Sequence, residues 1–302
     1  MVEPEHTEID IVISGGGLKG YYMAGCSHIL KNVLMKQNIH ISRISGASAG
    51  AWAAMFMLTD FGTQNWVESY YACQYPGETM HEAYEKMWPW IQSILPEDAY
   101  KQCSGRLFIS ITELTVLGPR NRMISEFSSN EDLFQACLAS STVPFLTERY
   151  GVRVFRDMWV VDGGVTVNTP IFHDGARRQL VFQLNDVDYP FRLLLSPKDV
   201  CIESLVVRGA ITMSRFLEGN PSGVGNEMAW VEKRKGRSSH KSPSSKGSIL
   251  PLLAATTAGV AVLSWLFGKT GSRSQQMMNK LLLMPLAVVF ASYCKQRVVQ
   301  LV

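Results

Sequence analysis

After Glu232 the chain contains no aspartate and no glutamate. From Lys233 onward eleven Lys and Arg stand unopposed, a tail charge of +11, whereas residues 1–232 carry 18 basic and 26 acidic side chains, a net of −8. This split reads as an acidic globular domain joined to a basic tail directed at a membrane, with no sign of a nucleic-acid partner. Paired cysteines are missing too. The six (Cys26, Cys73, Cys103, Cys137, Cys201 and Cys294) are scattered, and none forms a CxxC pair. That removes the usual zinc and dithiol motifs and suits reduced core thiols in a cytosolic domain. The first ten residues, MVEPEHTEID, lack the apolar stretch of a secretory signal, so the protein is expected not to be secreted. No internal repeat is visible.

What is present begins with alternating strand and helix patterns. Residues 9–14 (IDIVIS) form a β-branched apolar run, the mark of a buried strand. A helical stretch from about Leu18 to Gln37 follows, then a second strand at 41–45 and an apolar helix to about Leu58. This is the opening of a mostly parallel sheet flanked by helices. Residues 60–104 are rich in aromatics, with a helical pattern broken by prolines; they fit core helices or the wall of an acyl-binding groove. Strands are expected at 105–114, 120–127, 153–161 and 190–196, and a helix at 130–140.

Gly15-Gly16-Gly17-Leu18-Lys19-Gly20 lies between the first strand and the first helix. The pattern formally satisfies GxGxxG, but a dinucleotide site also needs an acidic residue about 20 positions on. No Asp or Glu occurs between Asp10 and Asp60. A phosphate-binding loop fails as well, because Tyr21 stands where GxxxxGK[ST] needs lysine. A plain tight turn and an oxyanion hole remain. Bare glycine amides at a helix N-terminus, assisted by the helix dipole, suit the second use. Lys19 either braces this loop or lies in solvent.

Gly46-Ala47-Ser48-Ala49-Gly50 is GxSxG, again between strand and helix, which places the serine hydroxyl on a sharp turn. Alone the pattern is weak; thirty residues after a glycine loop it is much stronger. A histidine partner is hard to find, since only His173 and His240 follow the best candidate acid, Asp162, and His240 lies in the basic tail. Asp162-Gly163-Gly164 directly follows the apolar run MWVV and would sit at a strand end. A carboxylate within reach of a serine can take its proton as general base.

SGGGLKG, SGASAG and VDGG, in this order and spacing, resemble the patatin-like phospholipase family. LASSTVPF (138–145) and DGGVTVNTP (162–170) fit two further blocks of that family, and the resemblance covers roughly residues 9–175. It implies a three-layer α/β/α fold, a Ser-Asp dyad of Ser48 (nucleophile) and Asp162 (general base), and an oxyanion hole built by Gly15, Gly16 and Gly17. Lys19, Gly20, Gly46, Gly50, Gly163 and Gly164 support the motifs. The implied activity is hydrolysis of acylglycerol or glycerophospholipid esters, without cofactor or metal. Transfer of the acyl chain to another lipid, or a non-catalytic role as an adaptor on lipid surfaces, are the rival uses.

The expected domains are a catalytic domain at 1–232, a basic Ser-rich linker at 233–247 and a membrane anchor or hairpin at 248–302. Ser248 to Gly268 is 21 residues without a charge. As a helix that is about 31 Å, near the thickness of a bilayer core. The run 281–294 is shorter and contains Pro285. The expected partner is therefore a membrane or lipid-droplet surface, with the catalytic domain facing the cytosol at the endoplasmic reticulum or lipid droplet.

Overall fold

The computed structural model describes residues 7–73, 80–144, 146–148, 151–188, 201–219 and 225–232. The expected strand at 190–196, the linker and the hydrophobic segments 248–268 and 281–294 lie outside the described residues. Among the described residues no helix is long and apolar enough to cross a membrane. The chain divides into two compact units: Met1–Glu113 with Arg120–Lys235, and Leu114–Pro119 with Gly236–Val302.

The fold is α/β, built on a mixed and mostly parallel sheet. Strands β1 (Thr7–Ile13), β2 (Ile39–Ala47), β3 (Leu107–Thr115) and β7 (Arg178–Phe182) run parallel at its centre, in the order β3-β2-β1-β7. The antiparallel strands β5 (Arg153–Phe155), β6 (Met158–Val161) and β8 (Met228–Val231) extend it, and β4 (Gly118–Ile124) pairs with β3. One strand was expected over 153–161. It is instead the hairpin β5–β6, because Arg156 and Asp157 both adopt positive φ (46° and 61°) and turn the chain back. Strands β7 and β8 and helix α8 (Ile202–Leu217) add elements that no motif announced.

Side chains alternate across a strand, so each strand serves two faces. Ile9, Ile11 and Ile13 of β1, Ile44 of β2, Leu107, Ile109 and Ile111 of β3, and Leu180 and Phe182 of β7 share one face and enter the main core. Helices α1 (Tyr22–Lys36), α2 (Ala49–Leu58), α3 (Thr63–Cys73), α4 (Met80–Ile94), α5 (Ala99–Cys103), α6 (Asn130–Ser140) and α8 contribute to that core. The aromatic stretch belongs to it: Phe56 stacks on Phe61 at 4.1 Å between centroids, and Trp66, Tyr70 and Ile91 are buried.

The other face carries Asp10, Val12, Arg43, Ser45, Phe108, Ser110, Gln179 and Val181. Among the described residues it is covered not by a layer of long helices but by the chain from 163 to about 177, whose only helix is α7 (Gly164–Val167). Ser45 donates to the Pro170 carbonyl at 2.6 Å, Ser110 to that of Val167 at 3.1 Å, and Gln179 to that of Phe172 at 2.6 Å. Arg43 lies over the Phe172 ring at 4.1 Å while paired to the buried Asp10. The polar side chains of this face therefore grip the backbone of the segment that follows Asp162.

Candidate active site

Ser48 stands between the last residue of β2 and the first of α2, with φ 52° and ψ −125°. A non-glycine residue there is strained, as the turn of a nucleophile elbow requires. Neighbouring glycines make the turn possible by close approach. A Cβ on Gly46 would lie 2.3 Å from the Gly50 carbonyl oxygen, and one on Gly50 would lie 2.3 Å from that of Ile13. The elbow is thus folded against the end of β1, where the glycine loop begins.

That loop is fixed at its root. The Ser14 amide donates to Phe182 O at 2.9 Å, and its hydroxyl accepts from the Leu184 amide at 2.8 Å. The Gly15 amide donates to Asn168 O at 3.2 Å. Among the described residues this leaves the amides of Gly16 and Gly17 uncommitted at the start of a 3-10 helix (Gly17–Tyr21) that runs into α1. Gly17 has φ 57°, the backbone shape glycine adopts at least cost. Lys19 is a brace: it is 6% exposed, and its ammonium donates to Asn185 O at 3.0 Å. Gly20 packs on the elbow, since a Cβ there would sit 3.2 Å from Ala49 Cβ. A Cβ on Gly15 would meet Asn168 Oδ1 at 2.6 Å and Ser48 Cβ at 3.1 Å, so the loop lies directly against the serine.

Asp162 leaves β6 with its backbone held on both sides. Its amide donates to Thr142 O at 2.8 Å and its carbonyl accepts from the Thr112 hydroxyl at 2.8 Å. Its carboxylate accepts the Gly164 amide at 2.7 Å, and the Ser48 side chain is near enough to lower its pKa. Burial pushes its pKa from 3.8 up to about 6, against the opposing pull of the Ser48 and Gly164 hydrogen bonds. The exposed His173 takes no part in this arrangement. Gly163 is required by packing, because a Cβ there would lie 1.9 Å from Ser110 O. A Cβ on Gly164 would strike Asn168 Oδ1 at 2.7 Å.

The structure therefore brings the glycine loop, Ser48 and Asp162 into one site. Within the blocks 138–145 and 162–170 the sequence assigned no work to Ser140 or Asn168. Ser140 accepts the Ser48 amide on its hydroxyl at 2.8 Å. The Asn168 side chain fills the space left by Gly15 and Gly164. The signal was there in SGG, SST and DGG…N, but only the fold shows which atoms meet.

A serine on a strained strand-to-helix turn, a glycine loop with uncommitted amides and a nearby desolvated carboxylate on an α/β sheet is an arrangement suited to serine acyl transfer. The patatin-like phospholipase family matches residues 11–96 and 87–173, more than half of the chain, and the chain belongs to that family. It is 29% identical to human patatin-like phospholipase domain-containing protein 4 over 205 residues, 63% of this chain and 76% of that one. Over 175 residues it is 29% identical to human omega-hydroxyceramide transacylase, 54% of this chain and 32% of that one, so it spans about a third of the relative's length. Bovine patatin-like phospholipase domain-containing protein 2 is 29% identical over 182 residues, 56% of this chain and 36% of that one. Among solved structures, the ExoU–SpcU complex of Pseudomonas aeruginosa aligns with TM-score 0.40 and 16% identity, covering 76% of this chain and 53% of that one.

Proposed function

We propose that this protein is a lipid acyl hydrolase that cleaves carboxylic esters of acylglycerols or glycerophospholipids through an acyl-enzyme on Ser48. The observation that carries the reading is the Asp162 carboxylate beside Ser48, which desolvation raises to about 6 against the lowering pull of the Ser48 side chain. Asp162 takes the hydroxyl proton as Ser48 Oγ attacks the ester carbonyl carbon. The negative charge that develops on the carbonyl oxygen is met by the Gly16 and Gly17 amides and the positive end of the helix they open. Collapse breaks the C–O bond, and the departing alcohol takes the proton from Asp162. Water, deprotonated by the same carboxylate, then attacks the acyl-serine and releases a fatty acid and free Ser48.

A second use of the same intermediate is supported by the relative whose name is omega-hydroxyceramide transacylase. An acceptor lipid hydroxyl in place of water would receive the acyl chain with no change in the machinery. Membership of a phospholipase family supports a lipid substrate. The basic, acid-free tail supports attachment of the catalytic domain to a membrane or lipid-droplet surface on its cytosolic side.

Purified wild type and Ser48→Ala are compared on p-nitrophenyl butyrate and on a panel of acylglycerols and phospholipids. The variant is expected to lose roughly 10³-fold or more of the rate. Equal rates would sink the reading. Adding a lysolipid or monoacylglycerol acceptor and identifying products separates hydrolysis from transfer.

A further inference from the structure

We propose that Ser140 is a positioning residue, which sets the direction of the Ser48 hydroxyl by holding the Ser48 amide. The inference rests on the reading of Ser48 as nucleophile and adds a residue to it. Ser140 is the last residue of α6 and is fully buried. Its hydroxyl has one proton, and that proton is given to Ser110 O at 2.7 Å. The oxygen lone pairs then point to the Ser48 amide, which donates at 2.8 Å. The direction of both bonds is fixed, because Ser110 O can only accept and the Ser48 amide can only donate.

The same residue also reaches the base. Its carbonyl accepts the Gly163 amide at 2.9 Å, one residue after Asp162. Ser140 thus touches the backbone of the nucleophile and of the turn that carries the carboxylate, and fixes one relative to the other. Ser48 needs such a hold, since its φ of 52° is strained and would relax if the amide were released. The bond also takes the Ser48 amide away from the reacting carbonyl.

The full-length protein is tested as Ser140→Ala, Ser140→Thr and Ser140→Cys, with Ser141→Ala and Ser48→Ala as references. Ser141 accepts the Trp52 indole at 2.9 Å and, among the described residues, makes no hydrogen bond to Ser48 or Asp162. Hydrolysis of p-nitrophenyl butyrate and the rate of covalent labelling by an alkyl fluorophosphonate are measured, with thermal melting alongside. Ser140→Ala is expected to lower kcat and the labelling rate by roughly 10- to 100-fold with KM within about twofold, since a misplacement of an ångström has that size of effect. Ser140→Thr, which keeps the hydroxyl, is expected within about fivefold of wild type, and Ser141→Ala within about twofold.

The inference is overturned if Ser140→Ala matches wild type while Ser48→Ala is inactive, or if Ser140→Ala and Ser140→Thr lose kcat equally. Should Ser140→Ala fail to melt cooperatively, the threonine and cysteine variants decide: a threonine enzyme much faster than the cysteine one supports the role, and equal rates refute it. If Ser48→Ala keeps full activity, it is the parent reading that fails.

Discussion

A carboxylate that removes a proton near neutral pH works best when its own pKa lies close by, and burial moves Asp162 in that direction. Its pKa rises from 3.8 to about 6, so the fraction of competent base grows as pH climbs through 6. The acid limb of kcat/KM against pH is expected at about 6; a limb near 4 would show that the carboxylate is not desolvated in the working enzyme. The same shift has a folding consequence of opposite sign. A raised carboxyl pKa stabilises the fold below pH 3.8, and that contribution is lost as pH rises through 6. At pH 7.5 the ionised group costs at most about 3 kcal/mol. Asp162→Asn is therefore expected to abolish hydrolysis while raising Tm at pH 7.5, with little gain at pH 4. Gly15 gives a steric counterpart. Its missing Cβ is the space of the Asn168 side chain, and Gly15→Ala would push Asn168 Oδ1, 2.6 Å away, or the Ser48 side chain, 3.1 Å away. Activity is expected to fall at least about tenfold, with a Tm change of a few degrees, read by kinetics and melting in parallel. At this scale Ser48, Asp162 and the glycines were legible from local patterns. Ser140 and Asn168 were not, since their work is done across 92 residues to Ser48 and, through the Asn168 carbonyl, to the far end of β1.

Elements transmit these positions, and α1 crosses α8 at close backbone contact. A Cβ on Gly25 would lie 1.9 Å from Val206 O, and one on Gly209 would lie 2.0 Å from Tyr22 O. Both obstacles are backbone, so no rotamer relieves them. The Cys26 thiol donates to Gly209 O at 3.3 Å across the same crossing. Gly209→Ala is expected to destabilise by about 1–3 kcal/mol through overpacking. Because α1 continues from the 3-10 turn that opens at Gly17, the shift should reach the loop and lower kcat as well. A denaturant melt and steady-state rates check this; unchanged stability would mean the helices separate at no cost. The strands β1 and β2 and helices α1, α2 and α6 were readable because their signals are local: apolar runs, glycine turns, and a Ser129 cap accepting the Asp132 amide at 3.1 Å. The strand β7 is five residues long, and its partner β1 is some 170 residues earlier, so pairing, not pattern, makes it a strand. Helix α8 was legible in principle, with Ile202, Leu205, Gly209, Thr212 and Met213 buried at helical spacing.

For the whole molecule the governing fact is the difference between the two faces of the sheet. One face has a thick helical core; the other is closed, among the described residues, mainly by polar grips on the chain after Asp162. That economy places the turn carrying Asp162 directly on the sheet, where Ser45, Ser110 and Gln179 hold its continuation. The strand and helix pattern predicted a mostly parallel α/β sheet and composition the charge split, but neither predicted this asymmetry, which depends on strand register. The charge split bears on where the enzyme works. The last described element, β8, ends at Val231, and every residue of the basic tail follows it in sequence. If the tail delivers the site to insoluble substrate, deleting residues 233–302 separates chemistry from delivery. The truncated protein is expected to keep its rate on p-nitrophenyl butyrate within about threefold, because its site residues are intact. It should no longer float with liposomes containing phosphatidylserine, since each Lys or Arg lost near an anionic surface removes about 1 kcal/mol of attraction. Its rate on dispersed acylglycerol should fall by at least about tenfold. Continued flotation of the truncated protein would place membrane attachment in the catalytic domain and remove the tail from the mechanism.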